Sequence, residues 1–262
     1  MARIVCVHGI GQEVKGPETL LKDWRSALRD GMRIAKVPPA ELPPDASIEV
    51  AFFGDLFRHD TKAHSDPPYQ LADIDQGFEE DLLRTWAEAA RDQGLEEQVT
   101  KAWAPQSVQW LAMALLNIPY FAQLTDLLLV GALKQLRSYM TDATRRVQVR
   151  ERLALLIQPD TELIIAHSLG SIVAYEVLCQ AHLPARPALI TLGSPLGLRK
   201  LVFDRLEPAP VGDQGWWPQH AASWTNIADS HDIVAAEKYL CTLFGARVND
   251  ILLNNGPLAH DI

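Results

Sequence analysis

Apolar residues along this chain follow two rhythms. Short runs rich in β-branched residues, most of them closed by turn residues, read as buried strands. They are Arg3 to Val7 before His8-Gly9-Ile10-Gly11, Ser47 to Phe53 before Gly54-Asp55, Leu163 to Ala166, Ala188 to Leu192 before Gly193-Ser194-Pro195, Ser223 to Ala228, and a short last strand over Arg247 to Asp250. Other segments carry apolar residues at helical spacing. Thr19 to Ala35 places Leu20, Leu21, Trp24, Leu28 and Met32 on one side, Ser171 to Leu178 follows the third strand, and Glu237 to Phe244 precedes the last. Buried strands alternating with helices predict an α/β chain whose mostly parallel sheet is covered on both faces.

Between the second and third strands the rhythm changes. Residues 69–158 contain no convincing strand and read as a helical insertion, with helices over Gln70–Trp103, Ser107–Asn117, Tyr120–Met140 and Thr141–Ile157 and breaks near Pro105 and Pro119. Trp110 to Leu133 is strongly apolar, but Asn117, Pro119, Gln123 and Asp126 interrupt it before it reaches a clean membrane span. It reads as core and cap helices packed on the domain; its alternatives are an apolar cap over an acyl-binding pocket and a surface in transient contact with a membrane. Leu56 to Pro68 is a polar excursion whose His59 and His64 read as solvated loop residues. Leu196 to Ala222 holds Trp216-Trp217 and has room for a short helix near Leu198–Leu206; it is too long for a plain connection and reads as a lid or pocket loop. No repeat, low-complexity tract or linker divides the 262 residues, so a single domain over 1–262 is expected.

Composition narrows the classes. An apolar fraction of 48% supplies a full core for a domain of this length. A net charge of −9 argues against nucleic acid as a partner and against a polybasic grip on anionic lipid. Cys6, Cys179 and Cys241 are scattered, lie in apolar surroundings and lack metal-ligand spacing, so buried reduced thiols are expected. Met1-Ala2-Arg3 runs straight into the first strand without a charged-then-apolar leader; no signal peptide is expected, and the cytoplasm is the expected location.

The chemistry concentrates where the third strand turns into a helix. Ala166-His167-Ser168-Leu169-Gly170 has the form small-x-Ser-x-Gly in a strand–turn–helix context, the pattern of a nucleophile elbow. Such a turn strains the backbone at the serine and needs small residues two positions either side, where a larger side chain would crowd strand or helix. The second signal is His8-Gly9 at the end of the first strand, where a glycine-flanked turn can aim backbone N–H groups into a cleft. A serine hydroxyl is a poor nucleophile at neutral pH and needs a base, with an acid to orient it. In the chain order Ser, acid, His, only His260 follows the acid candidates; His231 would need an earlier acid. For the acid, Asp229 and Asp232 compete, with Asp232 preferred at the turn before Ile233-Val234 and Asp250 a distant third; Asp232 also fits a plain helix N-cap. His8-Gly9, Ser168, Asp232 and His260 all follow strands, and in a parallel sheet these points share one edge.

His8-Gly9-Ile10-Gly11-Gln12, Ala166-His167-Ser168-Leu169-Gly170-Ser171-Ile172-Val173, Gly193-Ser194-Pro195-Leu196-Gly197 and Asn226-Ile227 through Asp232-Ile233-Val234-Ala235 resemble the α/β-hydrolase lipases. The set is most similar to intracellular phospholipases with a DDHD domain and to inositol-deacylase-like esterases. The similarity spans the sheet core and not residues 69–158. Ala166 stands in place of the usual glycine, and Ile233 where such lipases often carry proline. The resemblance implies a three-layer α/β-hydrolase fold, with Ser168 as nucleophile, Asp232 as acid, His260 as base, and the N–H groups of Ile10 and Leu169 as the oxyanion hole. It implies hydrolysis of carboxylic esters, lipids among them, through an acyl-enzyme, with no metal or organic cofactor. A different class is also open: a catalytically silent hydrolase fold that serves as a sensor or binding module.

Overall fold

A computed structural model describes residues 3–58, 69–94, 107–118, 121, 125–180, 182–256 and 260. His59, His64, the breaks at Pro105 and Pro119, and parts of two expected insertion helices lie outside the described residues.

The chain is α/β. Six strands, β1 (Arg3–Val7), β2 (Ile48–Ala51), β3 (Thr161–His167), β4 (Ala188–Leu192), β5 (Trp224–Asp229) and β6 (Val248–Leu253), form one sheet in the order β2-β1-β3-β4-β5-β6. Every adjacent pair is parallel. Helix α1 (Pro17–Ile34) joins β1 to β2, and the stretch from β2 to β3 carries α2 (Phe78–Asp92), α3 (Val108–Leu116), α4 (Asp126–Thr141) and α5 (Ala143–Ala154). Helix α6 (Leu169–Cys179) joins β3 to β4, and a short α7 (Cys241–Phe244) precedes β6.

Side chains alternate across β1 and so divide the core. Ile4 and Cys6 pack with Ile48, Ile165 and the α1 residues Leu20 and Trp24 on one face. Val5 and Val7 face the larger core on the other, with Ile164, Ala166 and the buried residues of α2 to α6. The route β1–α1–β2 therefore runs on one face and toward one edge, while β3–α6–β4 runs on the other face and away from it. Right-handed crossovers in opposite directions lie on opposite faces of a sheet. The two connections diverge between the neighbours β1 and β3, and in open α/β sheets such a switch point is where a crevice is expected at the carboxyl ends of the strands.

Capping residues set the insertion's helix boundaries. Ser107 accepts the Trp110 N–H at 3.3 Å, Thr125 accepts the Leu128 N–H at 3.3 Å, and Asp142 accepts the Thr144 and Arg145 N–H groups at 3.0 and 3.1 Å. Leu111, Ala112 and Leu115 on α3, with Leu129, Val130, Leu133 and Leu136 on α4, belong to the main core. Trp110 and Met113 point outward at 49% and 53% exposure, so the apolar stretch contributes mainly scaffold. Among the described residues, no helix is long and apolar enough to cross a membrane.

Four sequence expectations need correction. The helix expected over Glu237–Phe244 shrinks to Cys241–Phe244, because side chains take the backbone groups a longer helix would use. Asp250 accepts the Leu240 and Cys241 N–H groups at 3.0 and 2.9 Å, Asn226 donates to the Lys238 carbonyl at 3.0 Å, and Glu237 accepts the Tyr239 N–H at 2.9 Å. The last strand, expected to end at Asp250, continues to Leu253, since Ile251 to Leu253 keep pairing with Ile227 to Asp229 at the sheet edge. The expected short helix near Leu198–Leu206 is a pair of single 3-10 turns at Pro195–Gly197 and Phe203–Arg205. The three cysteines are free thiols, but only Cys6 is fully buried; Cys179 and Cys241 are half-buried.

Candidate active site

Ser168 sits at the carboxyl end of β3 with φ 51° and ψ −125°, a strained conformation for a residue with a side chain. The surroundings determine the turn tightly. Its N–H donates to the Leu192 carbonyl at the end of β4 at 2.9 Å, and its carbonyl accepts the Ser171 hydroxyl at 2.6 Å. Gly170 fits because a Cβ there would lie 2.5 Å from the Val7 carbonyl oxygen and 2.6 Å from that of His8. A Cβ on Gly9 would lie 2.8 Å from the Ser168 Cβ. The loop after β1 therefore lies directly against Ser168, in the crevice that the strand order predicts. Among the described residues, no backbone acceptor takes the Ile10 or Leu169 N–H outside regular elements. Leu169 opens α6, where first-turn N–H groups lack intrahelical partners and the helix dipole favours negative charge.

Asp232 and His260 come together, with Nδ1 of His260 2.8 Å from Oδ2 of Asp232. The Asp232 side chain is fully buried and that of His260 is 21% exposed. The other carboxylate oxygen of Asp232 accepts the Val234 and Ala235 N–H groups at 2.8 and 3.1 Å, so both the N-cap-like role and the histidine contact belong to the same carboxylate. Lys238 donates to the Asp232 main-chain carbonyl and, at 2.7 Å, to that of Ala235, bracing the turn. Gly193 ties this pair to the serine. It follows Leu192, which accepts the Ser168 N–H, and it has φ 53°. A Cβ at Gly193 would lie 2.8 Å from His260 Nδ1 and 2.9 Å from Asp232 Oδ2.

The other acid candidates are committed elsewhere. Asp229 accepts the His231 N–H at 2.7 Å and the Asn255 N–H, which closes the end of β5 onto the segment after β6. Asp250 accepts from Asn226 at 2.9 Å besides the two N–H groups at the start of α7. His231 turns its Nδ1 to the Ser230 hydroxyl at 3.0 Å, and its side chain is 57% exposed.

Two further histidines frame the site as neutral groups. His8 is buried, stacks on Phe53 with ring centroids 3.8 Å apart, and uses both ring nitrogens. Its Nδ1–H donates to the Gly9 carbonyl at 2.7 Å, and its Nε2 accepts the Phe53 N–H at 3.1 Å. Burial pushes its pKa down to about 4. His167 donates Nε2–H to the His260 carbonyl at 2.6 Å, with the two rings 4.7 Å apart; burial, then the neighbouring His260, pushes its pKa down to about 3.

Sequence reading gave no role to His167, Gly193 or Gln135. Gln135 on α4 is 7% exposed, and its side-chain oxygen accepts the Gly11 N–H at 3.0 Å. The available signal was a polar residue between Leu133 and Leu136 on an otherwise apolar helix face. Among the described residues, no three His, Cys, Asp or Glu side chains are grouped to hold a metal ion. Comparison with protein-family models, with curated proteins and with solved structures finds no match.

Proposed function

We propose that this chain is a serine hydrolase of the α/β-hydrolase type that cleaves carboxylic esters through Ser168, His260 and Asp232. The observation that carries the reading is that a strained Ser168 and a His260–Asp232 pair 2.8 Å apart both lie against the Leu192–Gly193 turn at the carboxyl end of β4. Strained backbone at a polar residue persists where its surroundings over-determine it, and such sites cluster at functional positions.

A carboxylate oxygen on Nδ1 places the imidazole's proton there and leaves Nε2 as the basic nitrogen. His260 Nε2 takes the Ser168 proton as Oγ forms a bond to the ester carbonyl carbon. The carbonyl oxygen gains the electron pair and is received by the N–H groups of Ile10 and Leu169. Collapse of the tetrahedral species breaks the bond to the alkoxy group, which leaves with the proton from His260. Water, activated by the same imidazole, then releases the acid and restores the serine. Asp232 holds the ring and balances the charge of the imidazolium.

Hydrophobic acyl esters, lipids included, are the proposed substrate class, on the strength of the lipase-like motifs around Ser168 and His8-Gly9. The test is a p-nitrophenyl ester series together with a fluorophosphonate probe. Wild-type protein is expected to label and Ser168→Ala to be silent, with kcat/KM rising from acetate to octanoate. A flat or falling series drops the lipid preference and keeps the triad. A wild-type chain that neither labels nor turns over any ester leaves the silent binding fold as the reading.

A further inference from the structure

We propose that α4, from the insertion, sets the oxyanion hole, with Gln135 as its positioning residue. This rests on the hydrolase reading above. The two proposed oxyanion donors belong to different elements: Ile10 to the loop after β1, and Leu169 to the first turn of α6. One face of α4 holds both carriers. The Gln135 side-chain oxygen accepts the Gly11 N–H at 3.0 Å, and Tyr139, one turn on, donates its hydroxyl to Glu176 of α6 at 2.7 Å. Residues four apart on a helix share a face, so the two anchor points are a turn apart on one rod.

Each anchor is held from behind. The Glu176 side chain is fully buried and also accepts from Arg146 of α5 and from the Glu207 N–H at 3.1 Å. Lys134 of α4 donates to the Asp73 carbonyl at 2.6 Å and to Glu79, which lies on α2 with its side chain fully buried. Against this rigid background the β1 loop is the soft partner. Gly11 has φ 76°, and a Cβ there would meet nothing within 4 Å, so packing does not fix this residue. A peptide plane next to a glycine in this region turns over readily. The plane between Ile10 and Gly11 is fixed by its N–H on Gln135. The Ile10 N–H lies in the plane before it, whose Gly9 carbonyl accepts the His8 Nδ1–H at 2.7 Å. Released from Gln135, the loop is held on that side alone and can shift Ile10, with its N–H, out of line with the oxyanion. The tether crosses 124 positions of sequence, which makes the insertion part of the machinery and not only a cover.

The test compares Gln135→Leu with Gln135→Glu, which keeps a side-chain oxygen at the same place. Loss of an oxyanion donor costs about 10²–10³ in kcat, and loss of its alignment is expected to cost about 10–100-fold. Gln135→Leu should show that fall in kcat with KM within about twofold, a split expected of transition-state alignment and not of a packing defect. Gln135→Glu should recover most of kcat, and the Gly11 amide should exchange with solvent faster in Gln135→Leu than in wild type. Wild-type kcat in Gln135→Leu, or equal Gly11 exchange, overturns the proposal while leaving the hydrolase reading intact. A fall in Gln135→Glu as deep as in Gln135→Leu overturns it too. A wild type that neither labels with fluorophosphonate nor hydrolyses esters overturns both.

Discussion

His167 donates its Nε2–H to the main-chain carbonyl of His260 at 2.6 Å. The residue before the proposed nucleophile thus holds the chain that carries the proposed base. Its depressed pKa keeps the ring neutral, with one N–H to give, through the working range. His167→Leu should loosen His260 and lower kcat by about tenfold, the equivalent of one part-buried hydrogen bond of roughly 1–1.5 kcal/mol. His167→Gln, whose amide can donate along a similar line, should recover part of it. Unchanged kcat in His167→Leu would mean that Asp232 and Gly193 alone hold the base.

Ser168 stores strain at φ 51°. Sparsely populated backbone conformations cost about 1–3 kcal/mol in a residue with a Cβ, and glycine adopts them freely. Glycine also adds roughly 0.4–1 kcal/mol of unfolded-chain entropy. Ser168→Gly should therefore be more stable than Ser168→Ala by about 1 kcal/mol, and both should be inactive. Urea unfolding of the two variants checks this, and an alanine variant as stable as the glycine one removes strain from the account.

The acid assignment separates by substitution. Asp232→Asn keeps the shape but presents His260 Nδ1 with an amide in place of a carboxylate, and removal of such a partner lowers kcat by about 10⁴ in triads of this kind. Asp250→Asn disturbs the N–H groups of Leu240 and Cys241 and the Asn226 side chain, none of them at the serine. It should lower stability by about 1–3 kcal/mol and leave kcat within about threefold. The reverse pattern would move the acid to Asp250.

How much was legible follows from which interactions are local. The strand–turn–helix at Ser168 announces itself, because the strained serine demands small neighbours at fixed offsets and Gly170 supplies one of them. The sheet was legible because β-branched runs closed by glycines leave few other readings. Asp232 stood out over Asp229 only by its place in a turn; what decides between them is that Asp229 is taken up by the His231 and Asn255 N–H groups, a contact across 26 positions. Gln135 and His167 act across 124 and 93 positions, and nothing in their local sequence states the partner. The failed helix at Glu237 has the same origin: its apolar spacing is sound, but Asp250 and Asn226 claim the backbone from outside the segment.

Two histidines make stability depend on pH in a defined window. His8 and His167 both titrate lower in the folded state, from 6.5 to about 4 and to about 3, chiefly because burial disfavours the charged ring. As pH falls below 6.5 the unfolded chain takes up these protons first, so the folded state loses ground. Their contribution is complete above that value and drains away down to the folded-state pKa values. Each ring adds a slope that approaches about 1.4 kcal/mol per pH unit inside the window. Exposed carboxylates titrate near 4, so between roughly pH 6.5 and 5 the decline belongs to the histidines. Wild-type urea midpoints should be level from pH 8 to 7 and fall between 6.5 and 5. His8→Asn should start lower, because the Phe53 N–H and Gly9 carbonyl lose the ring that bridges them, and should fall less steeply because one titrating group is gone. A wild-type midpoint that stays level to pH 5 would mean that these rings accept protons in the folded state, and the neutral bridge between β1 and β2 would have to be abandoned.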